Sequence, residues 1–316
     1  MRTSSDVRFV SADELQSPEV MARCISAIEE RLARGWDVVE PARVVHRVGE
    51  GQLLLMPGWD RAALAVKVTS VLPDGVARDR PRLQGVLVVF ELPEMTPVML
   101  VDAAGVTALR TPAMSAVATK YLAAANASRL VVFGTGPQAV RHVEAMRLVR
   151  DIAWVGIVGR TPESAEPLAA CLRASGVDAE AVSSDAVADT DLVCACTTSR
   201  TPIFDGSLLP ARVHVNAVGS HEPSARELDA ATFDGAMTVV DSVEMALREA
   251  GDVLAALESR ALQSETTLVS LDAVVRGESP YAGAARTIFK SVGTAGQDLI
   301  AGELLLELLA PERERR

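Results

Sequence analysis

Apolar positions along the chain change period twice, and the changes divide it into differently built parts. Val20, Cys24, Ile28 and Leu32 recur every four residues, with Met21 and Ile25 beside them. That spacing predicts an amphipathic helix, opened by a capping box at Ser11 and Glu14 and stopped by Gly35. The runs "WDVV", "QLLLM", "LAVKV", "GVLVVF" and "PVMLV" then follow, separated by Gly, Pro and Asp. They predict a largely antiparallel sheet. Helical spacing returns in "TPAMSAVATKYLAAAN", with Thr111 as N-cap and Pro112 as first helical residue. From residue 129 the two patterns alternate. Strands "RLVVF", "AWVGIV", "DLVCACT", "VHVNAV" and "MTVVD" are interleaved with helices such as "QAVRHVEAMRLVR" and "PESAEPLAACLRAS". Alternation of this kind predicts an α/β fold with a doubly wound parallel sheet. The stretch "TIFKSVGTAGQDLIAGELLLELLA" reads as a turn and then a long helix. The expected plan is a split α+β domain, residues 1–112 plus 288–316, with a nucleotide-type domain of residues 113–287 inserted.

Composition narrows the class. The chain has 316 residues, 49 % apolar but only 3 % aromatic, so Ala, Val and Leu carry the core. No apolar run reaches membrane-spanning length, and the first residues show no apolar leader segment. Four cysteines are too few for a disulfide framework. Cys194 and Cys196 lie in an apolar strand without other ligands at metal spacing, which reads as core filling. These features point to a reduced, cytoplasmic protein. A net charge of −11 opposes binding to nucleic acid, and the mixed-sign tail "PERERR" reads as a solvated end.

The most informative local pattern is "LVVFGTGPQA". Gly134, Gly136 and Ala139 fill the small positions of G-x-G-x-x-G/A, after a predicted strand and at the start of a predicted helix. In that context Gly134 permits the tight turn, Gly136 the close approach of a pyrophosphate, and Ala139 the packing of helix on sheet. The second strand ends in "IVGRTPES", without the acidic residue that bonds an NAD ribose. Arg160 either pairs with a 2′-phosphate, with Thr161 adding a hydroxyl, or covers the adenine or lies in solvent. NADP is therefore favoured over NAD.

Three cations are candidates for a substrate anion. Alternation turns Lys67 away from the more apolar side of its strand, towards a cleft or water, and strand lysines are mostly solvated. Arg110, just before the expected helix start, suits a carboxylate. Arg43 alone reads as a surface arginine. The histidines show no metal spacing; His142 is expected to face solvent, and His221 follows an apolar strand where ligands bind in parallel sheets.

Four stretches in order, "VTALRTPAMSAVATKYL", "VVFGTGPQA", "VHVNAVGSHEPSARELD" and "TIFKSVGTAGQDL", resemble the ornithine cyclodeaminase/mu-crystallin family. The resemblance runs from about Arg43 to the last helix. It implies a Rossmann-type dinucleotide-binding domain inserted in a split substrate-binding and dimerisation domain, and a homodimer. The family includes ornithine and lysine cyclodeaminases, archaeal-type alanine dehydrogenases, ketimine reductases and hormone-binding mu-crystallins. By the same resemblance Arg43, Lys67 and Arg110 match substrate-carboxylate and catalytic positions. Thr111, Gly134, Thr135, Gly136 and Gln138 match cofactor positions. Asn216, Val218, Gly219 and Ser220 match a strand end near the nicotinamide, and Lys290, Val292 and Gly293 a stretch that closes over the cofactor. The cyclodeaminases carry a glutamate two residues before the Met-Pro pair and an aspartate after the "VNAVG" strand. Here those positions are Leu54 and His221, and the usual Pro-Thr near the cofactor is Pro81-Arg82. Leucine transfers no proton, and histidine is a different acid/base. The expected activity is reduction of a small α-imino or α-keto acid with NADP, Lys67 as proton donor and His221 assisting. The alternatives are a cyclodeaminase that recycles NAD and a mu-crystallin-like binding protein.

Overall fold

A computed structural model of the chain describes residues 7–73, 80–279 and 284–309; the expected solvated tail lies outside them. It divides into two compact units. The first takes in the chain up to Arg31, Gly35–Thr111 and the segment from Thr294; the second takes in Leu32–Arg34 and Pro112–Gly293.

The first unit opens with β1 (Arg8–Val10) and a single 3-10 turn, Asp13–Leu15, then α1 (Pro18–Arg34). Five more strands follow: β2 (Val44–Val48), β3 (Gly51–Trp59), β4 (Ala63–Val71), β5 (Leu83–Glu91) and β6 (Thr96–Asp102). Their order is β1-β6-β5-β4-β3-β2. All neighbours are antiparallel except β1, which lies parallel to β6. The expected capping box closes the 3-10 turn instead of the helix. Glu14 accepts from the Ser11 N–H at 2.8 Å, but the Ser11 hydroxyl donates to Glu14. The helix itself is capped by Ser17, whose Oγ accepts from the Val20 N–H. "WDVV" makes only an isolated bridge, Val39 to Trp59.

Helix α2 (Ala103–Leu122) starts nine residues earlier than the Pro112 signal implied. Asp102 Oδ1 accepts from the Gly105 N–H at its first turn, so Thr111 is no N-cap and Pro112 lies inside the helix. An interior proline costs about 3 kcal/mol. Val106, Leu109, Ala113, Met114, Ala116 and Val117 are all buried, and that burial outweighs it. The C-terminal helix α9 (Ala295–Leu309) packs on β3, β4 and β5. Leu299 and Leu305 share a core with Ala63, Ala65, Leu87 and Val89 there.

The second unit carries the remaining strands: β7 (Arg129–Phe133), β8 (Trp154–Val158), β9 (Ala179–Ala181), β10 (Leu192–Ala195), β11 (Val213–Ala217), β12 (Met237–Val240), β13 (Val269–Ser270) and β14 (Arg286–Lys290). They form one sheet ordered β13-β12-β14-β11-β10-β7-β8-β9, parallel throughout. Its helices are α3 (Pro137–Val149), α4 (Pro162–Ala174), α5 (Ala230–Phe233), α6 (Val243–Glu249), α7 (Gly251–Glu258) and α8 (Leu271–Val275). This is the doubly wound α/β fold that the alternation predicts. One element departs from expectation. "TIFK" is no turn but strand β14, inserted between β11 and β12. A short, fully buried strand has no period to betray it. In consequence the second unit runs on to Gly293, beyond the expected boundary at 287. No helix among the described residues is long and apolar enough to cross a membrane.

Candidate active site

In the first unit the site is built on β4, α2 and α9. Lys67 is 2 % exposed, contrary to the expectation of a solvated strand lysine. The face of β4 that carries Ala63, Ala65, Lys67 and Thr69 is the buried one, whereas Leu64, Val66 and Val68 are half-exposed. Across the sheet Lys67 lies opposite Met56 on β3 and Leu87 on β5. Its Nζ reaches both oxygens of Asp298, at 2.9 Å to Oδ1 and 2.8 Å to Oδ2. Arg110 is not at a helix start but midway along α2; its Nε donates to Asp298 Oδ1 at 3.0 Å and its Nη1 to Gln297 Oε1 at 2.8 Å. Two cations thus share one fully buried carboxylate. Burial pushes the Lys67 ammonium down to about 8; Asp298 opposes that fall, and the like charges of Arg110 and Arg43 add to it. Arg43 itself is half-buried, in the segment before β2. A lysine in this range is an effective proton donor near neutral pH. Thr111 follows Arg110, with a buried hydroxyl that has no hydrogen-bond partner. Leu54 is buried on the same face of the sheet as Met56.

Asp298 and Gln297 escaped the sequence reasoning. Their signal was a lone acid early in an otherwise apolar helix, "AGQDLIAGELLLELL". A charge at such a position is retained only when paired.

In the second unit the glycine turn joins β7 to α3. Gly134 has φ of +110°, and a Cβ there would lie 2.5 Å from the Cys196 carbonyl oxygen. Its N–H donates to the Val158 carbonyl. Gly136 is the N-cap of α3, without a side-chain cap, and a Cβ on it would meet nothing within 4 Å. The open side of Gly136 and the exposed Thr135 beside it form a cradle that suits a pyrophosphate. Gln138, in the first turn of α3, is half-buried. At the end of β8, Arg160 is exposed, and Thr161 Oγ1 accepts from the Ser164 N–H as the cap of α4. These residues fit a dinucleotide with an anionic group on its ribose.

The end of β11 is held from behind. Val218 and Gly219 are half-buried, and the Gly219 N–H donates to Glu227 Oε2. Glu227 Oε1 accepts from the Thr197 N–H and hydroxyl, so one carboxylate ties the ends of β10 and β11 together. Ser220 Oγ donates to the Ala225 carbonyl. Lys290 is fully buried; its Nζ donates to the Ser220 carbonyl at 2.7 Å and pairs with Asp252 Oδ2 at 2.9 Å. It braces this loop from beneath. The Gly293 N–H donates to Asp241 Oδ2. Asn216 is likewise internal, donating to Thr119 Oγ1.

The histidines divide. His142 does not face solvent: it is fully buried between the Gln138 carbonyl and Ser115 Oγ, and burial pushes it down to about 4. His214 is also buried, against Thr287 and Asn216. His221 is half-buried in the loop after β11.

Comparison with known proteins gives a consistent picture. The model of the ornithine cyclodeaminase/mu-crystallin family matches residues 6–310. The Δ1-pyrroline-2-carboxylate reductase of Colwellia psychrerythraea is 31 % identical, over 96 % of this chain and 100 % of that one. The ketimine reductase mu-crystallin of Rattus norvegicus is 32 % identical, over 95 % and 96 %. Among solved structures, Thermococcus litoralis Δ1-pyrroline-2-carboxylate reductase in complex with NADH and L-proline superposes with a TM-score of 0.89 at 29 % identity, covering 96 % of this chain and 98 % of that one.

Proposed function

The chain belongs to the ornithine cyclodeaminase/mu-crystallin family, and from that premise we propose that it is an NADP-dependent oxidoreductase that reduces a small α-imino or α-keto acid to the amino acid, with NAD as the alternative cofactor. The observation that carries this reading is the sharing of Asp298 by Lys67 and Arg110. Those three groups sum to one positive charge in a buried site. A substrate carboxylate balances that charge, and the Arg110 guanidinium offers it charge-assisted hydrogen bonds. Arg43 adds to the same field.

When bound, the dinucleotide supplies the hydride. The chain's own residues do the rest. Arg110 and Arg43 hold the carboxylate and so fix the prochiral carbon. Lys67 gives its proton to the imine nitrogen as the carbon accepts hydride, so the C=N bond becomes CH–NH and the lysine is left neutral. Leu54 and Met56, buried on the face of β3 that adjoins Lys67, would give the substrate side chain an apolar wall. That wall suits a cyclic imine such as Δ1-pyrroline-2-carboxylate, the substrate class of the named relatives. It opposes the cyclodeaminase alternative, since Leu54 brings no proton-transferring group. His221 assists proton traffic from its loop. In the second unit Gly134, Thr135, Gly136 and Gln138 hold the pyrophosphate, and Arg160 and Thr161 the ribose phosphate. Val218, Gly219 and Ser220 shape the nicotinamide end, with Lys290 and Gly293 as their support.

The protein is a homodimer in this reading. Leu53, Leu55, Leu64, Val66, Val68 and Val88 form a half-exposed apolar row on the outer face of the first sheet, which a second copy would cover. Light scattering tests this.

The activity test is NADPH oxidation with three substrates: Δ1-pyrroline-2-carboxylate, Δ1-piperideine-2-carboxylate, and pyruvate plus ammonia. Turnover is expected with at least one, and Lys67→Ala lowers it about 10²–10⁴-fold. Background rates with all three overturn the proposal.

A further inference from the structure

Lys67 and Arg110 approach from different elements, a strand and a helix, yet their charged ends meet on a third. Asp298, in the first turn of α9, is fully buried and takes Lys67 on both oxygens and Arg110 Nε on Oδ1. The neighbouring Gln297 Oε1 accepts from Arg110 Nη1, so the guanidinium is gripped at two points by consecutive residues of one helix turn. Besides Asp298 and Arg110, the charge of Arg43 acts on Lys67, whose cross-strand neighbours Met56 and Leu87 are apolar.

We propose that Asp298 is the positioning residue of this site: it fixes the proton donor Lys67 and the carboxylate-binding Arg110 as one unit and keeps the lysine charged until substrate arrives. The inference rests on the reductase reading above. The physical logic is a contest of three effects on one ammonium. Burial and the two arginines favour loss of its proton, and Asp298 alone opposes them. Without that carboxylate the lysine sits neutral at working pH and has no proton to give. With it, the lysine stays mostly charged below about 8, yet is a stronger acid than a solvated one. When the proton leaves for the substrate nitrogen, Asp298 retains Arg110 as its partner and is never left as a lone buried anion. Gln297 Oε1 grips the arginine, so the two residues divide the work: Asp298 acts on proton transfer and binding, Gln297 on binding.

The test is the pH profile of kcat and of KM for Asp298→Asn and Gln297→Ala beside the parent enzyme, with NADPH and Δ1-pyrroline-2-carboxylate. In the parent, kcat/KM falls on the alkaline side near the Lys67 value of about 8. Removing an opposite charge at contact distance moves that limb down by about 1–3 pH units. Asp298→Asn therefore loses about 2–100-fold of kcat/KM at pH 7 and regains part of it in acid, while its KM is raised throughout. Gln297→Ala raises KM and leaves the limb in place. A role confined to packing would lower kcat/KM equally at every pH. Asp298→Glu keeps the charge and serves where the Asn variant does not fold; its limb stays within about half a unit of the parent. An Asn variant with the parent limb, or a Glu variant whose limb falls by a full unit, overturns the inference. A parent enzyme without turnover overturns the reductase reading instead, and titration of the labelled Lys67 side chain in the parent, in Asp298→Asn and in Asp298→Glu then decides the Asp298 role without activity.

Discussion

The two glycines of the β7–α3 turn separate folding from cofactor binding, and substituting each by alanine makes the separation measurable. Gly134 has φ of +110°, where an L-residue costs about 1–3 kcal/mol. Its new Cβ would also lie 2.5 Å from the backbone oxygen of Cys196, which cannot yield as a side chain can. Overpacking of this kind adds about 1–3 kcal/mol. Gly134→Ala is thus expected to destabilise the apoprotein by about 2–6 kcal/mol. Gly136 is different. Its φ of −88° and ψ of −175° suit any residue, and its Cβ would meet nothing within 4 Å. Alanine is merely a poorer N-cap, at a cost of roughly 0.5–1 kcal/mol, or about 1–4 °C in Tm. The empty side of Gly136 is, however, where the pyrophosphate must approach. A methyl there removes at least one charge-assisted hydrogen bond, worth about 1.5–3 kcal/mol, which raises the NADPH Kd about 10–150-fold. Thermal melts without cofactor and fluorescence titration with NADPH read the two effects apart. Gly136→Ala binding NADPH within about threefold of the parent would refute the phosphate cradle. A Gly134→Ala melt equal to the parent's would refute the steric reasoning.

Three further outcomes follow from other parts of the molecule. Arg160 is exposed at the end of β8, so Arg160→Ser should weaken NADPH by about 10–100-fold and leave NADH unchanged, read by parallel titrations. Lys290→Met strands the fully buried Asp252 and should cost about 3–5 kcal/mol in urea unfolding; adding Asp252→Asn, which keeps the acceptor for the Glu227 and Leu228 N–H groups, should recover more than half. His142 and His214 are pushed by burial to about 4 and about 3, below their unfolded value, so the stability they hold is complete above about pH 6.5 and drains as acid protonates the unfolded chain first. Each accounts for roughly 2–3 kcal/mol lost by about pH 4.5, and His142→Gln should show a correspondingly shallower fall in urea midpoint.

How legible the chain was depended on what each signal measures. The glycine turn, the alternating strands and α1 were readable because each is decided within a few neighbouring residues. The start of α2 was not, since Thr111-Pro112 is a sound local start signal that burial along the whole helix overrides. Strand β14 was missed because a fully buried strand shows no period. Asp298 could be found only by asking why an acid interrupts an apolar helix, since its partners lie 188 and 231 residues away.

Lys67 is the most instructive case. Alternation in β4 gives one row of Leu64, Val66 and Val68 and another of Ala65, Lys67 and Thr69, and the rule sends the more apolar row inward. In the folded chain the lysine row is buried and the aliphatic row half-exposed. The rule measures which face leaves water, not which face meets its own chain. An aliphatic row covered by a second copy and a polar row covered by α9 would both be dry, and the pattern is then satisfied in the dimer while misleading in the monomer. The drier the lysine's face, the further its proton affinity falls and the more it needs Asp298. A strand with hydrophobic residues on its open face is therefore a reason to look for chemistry on the other.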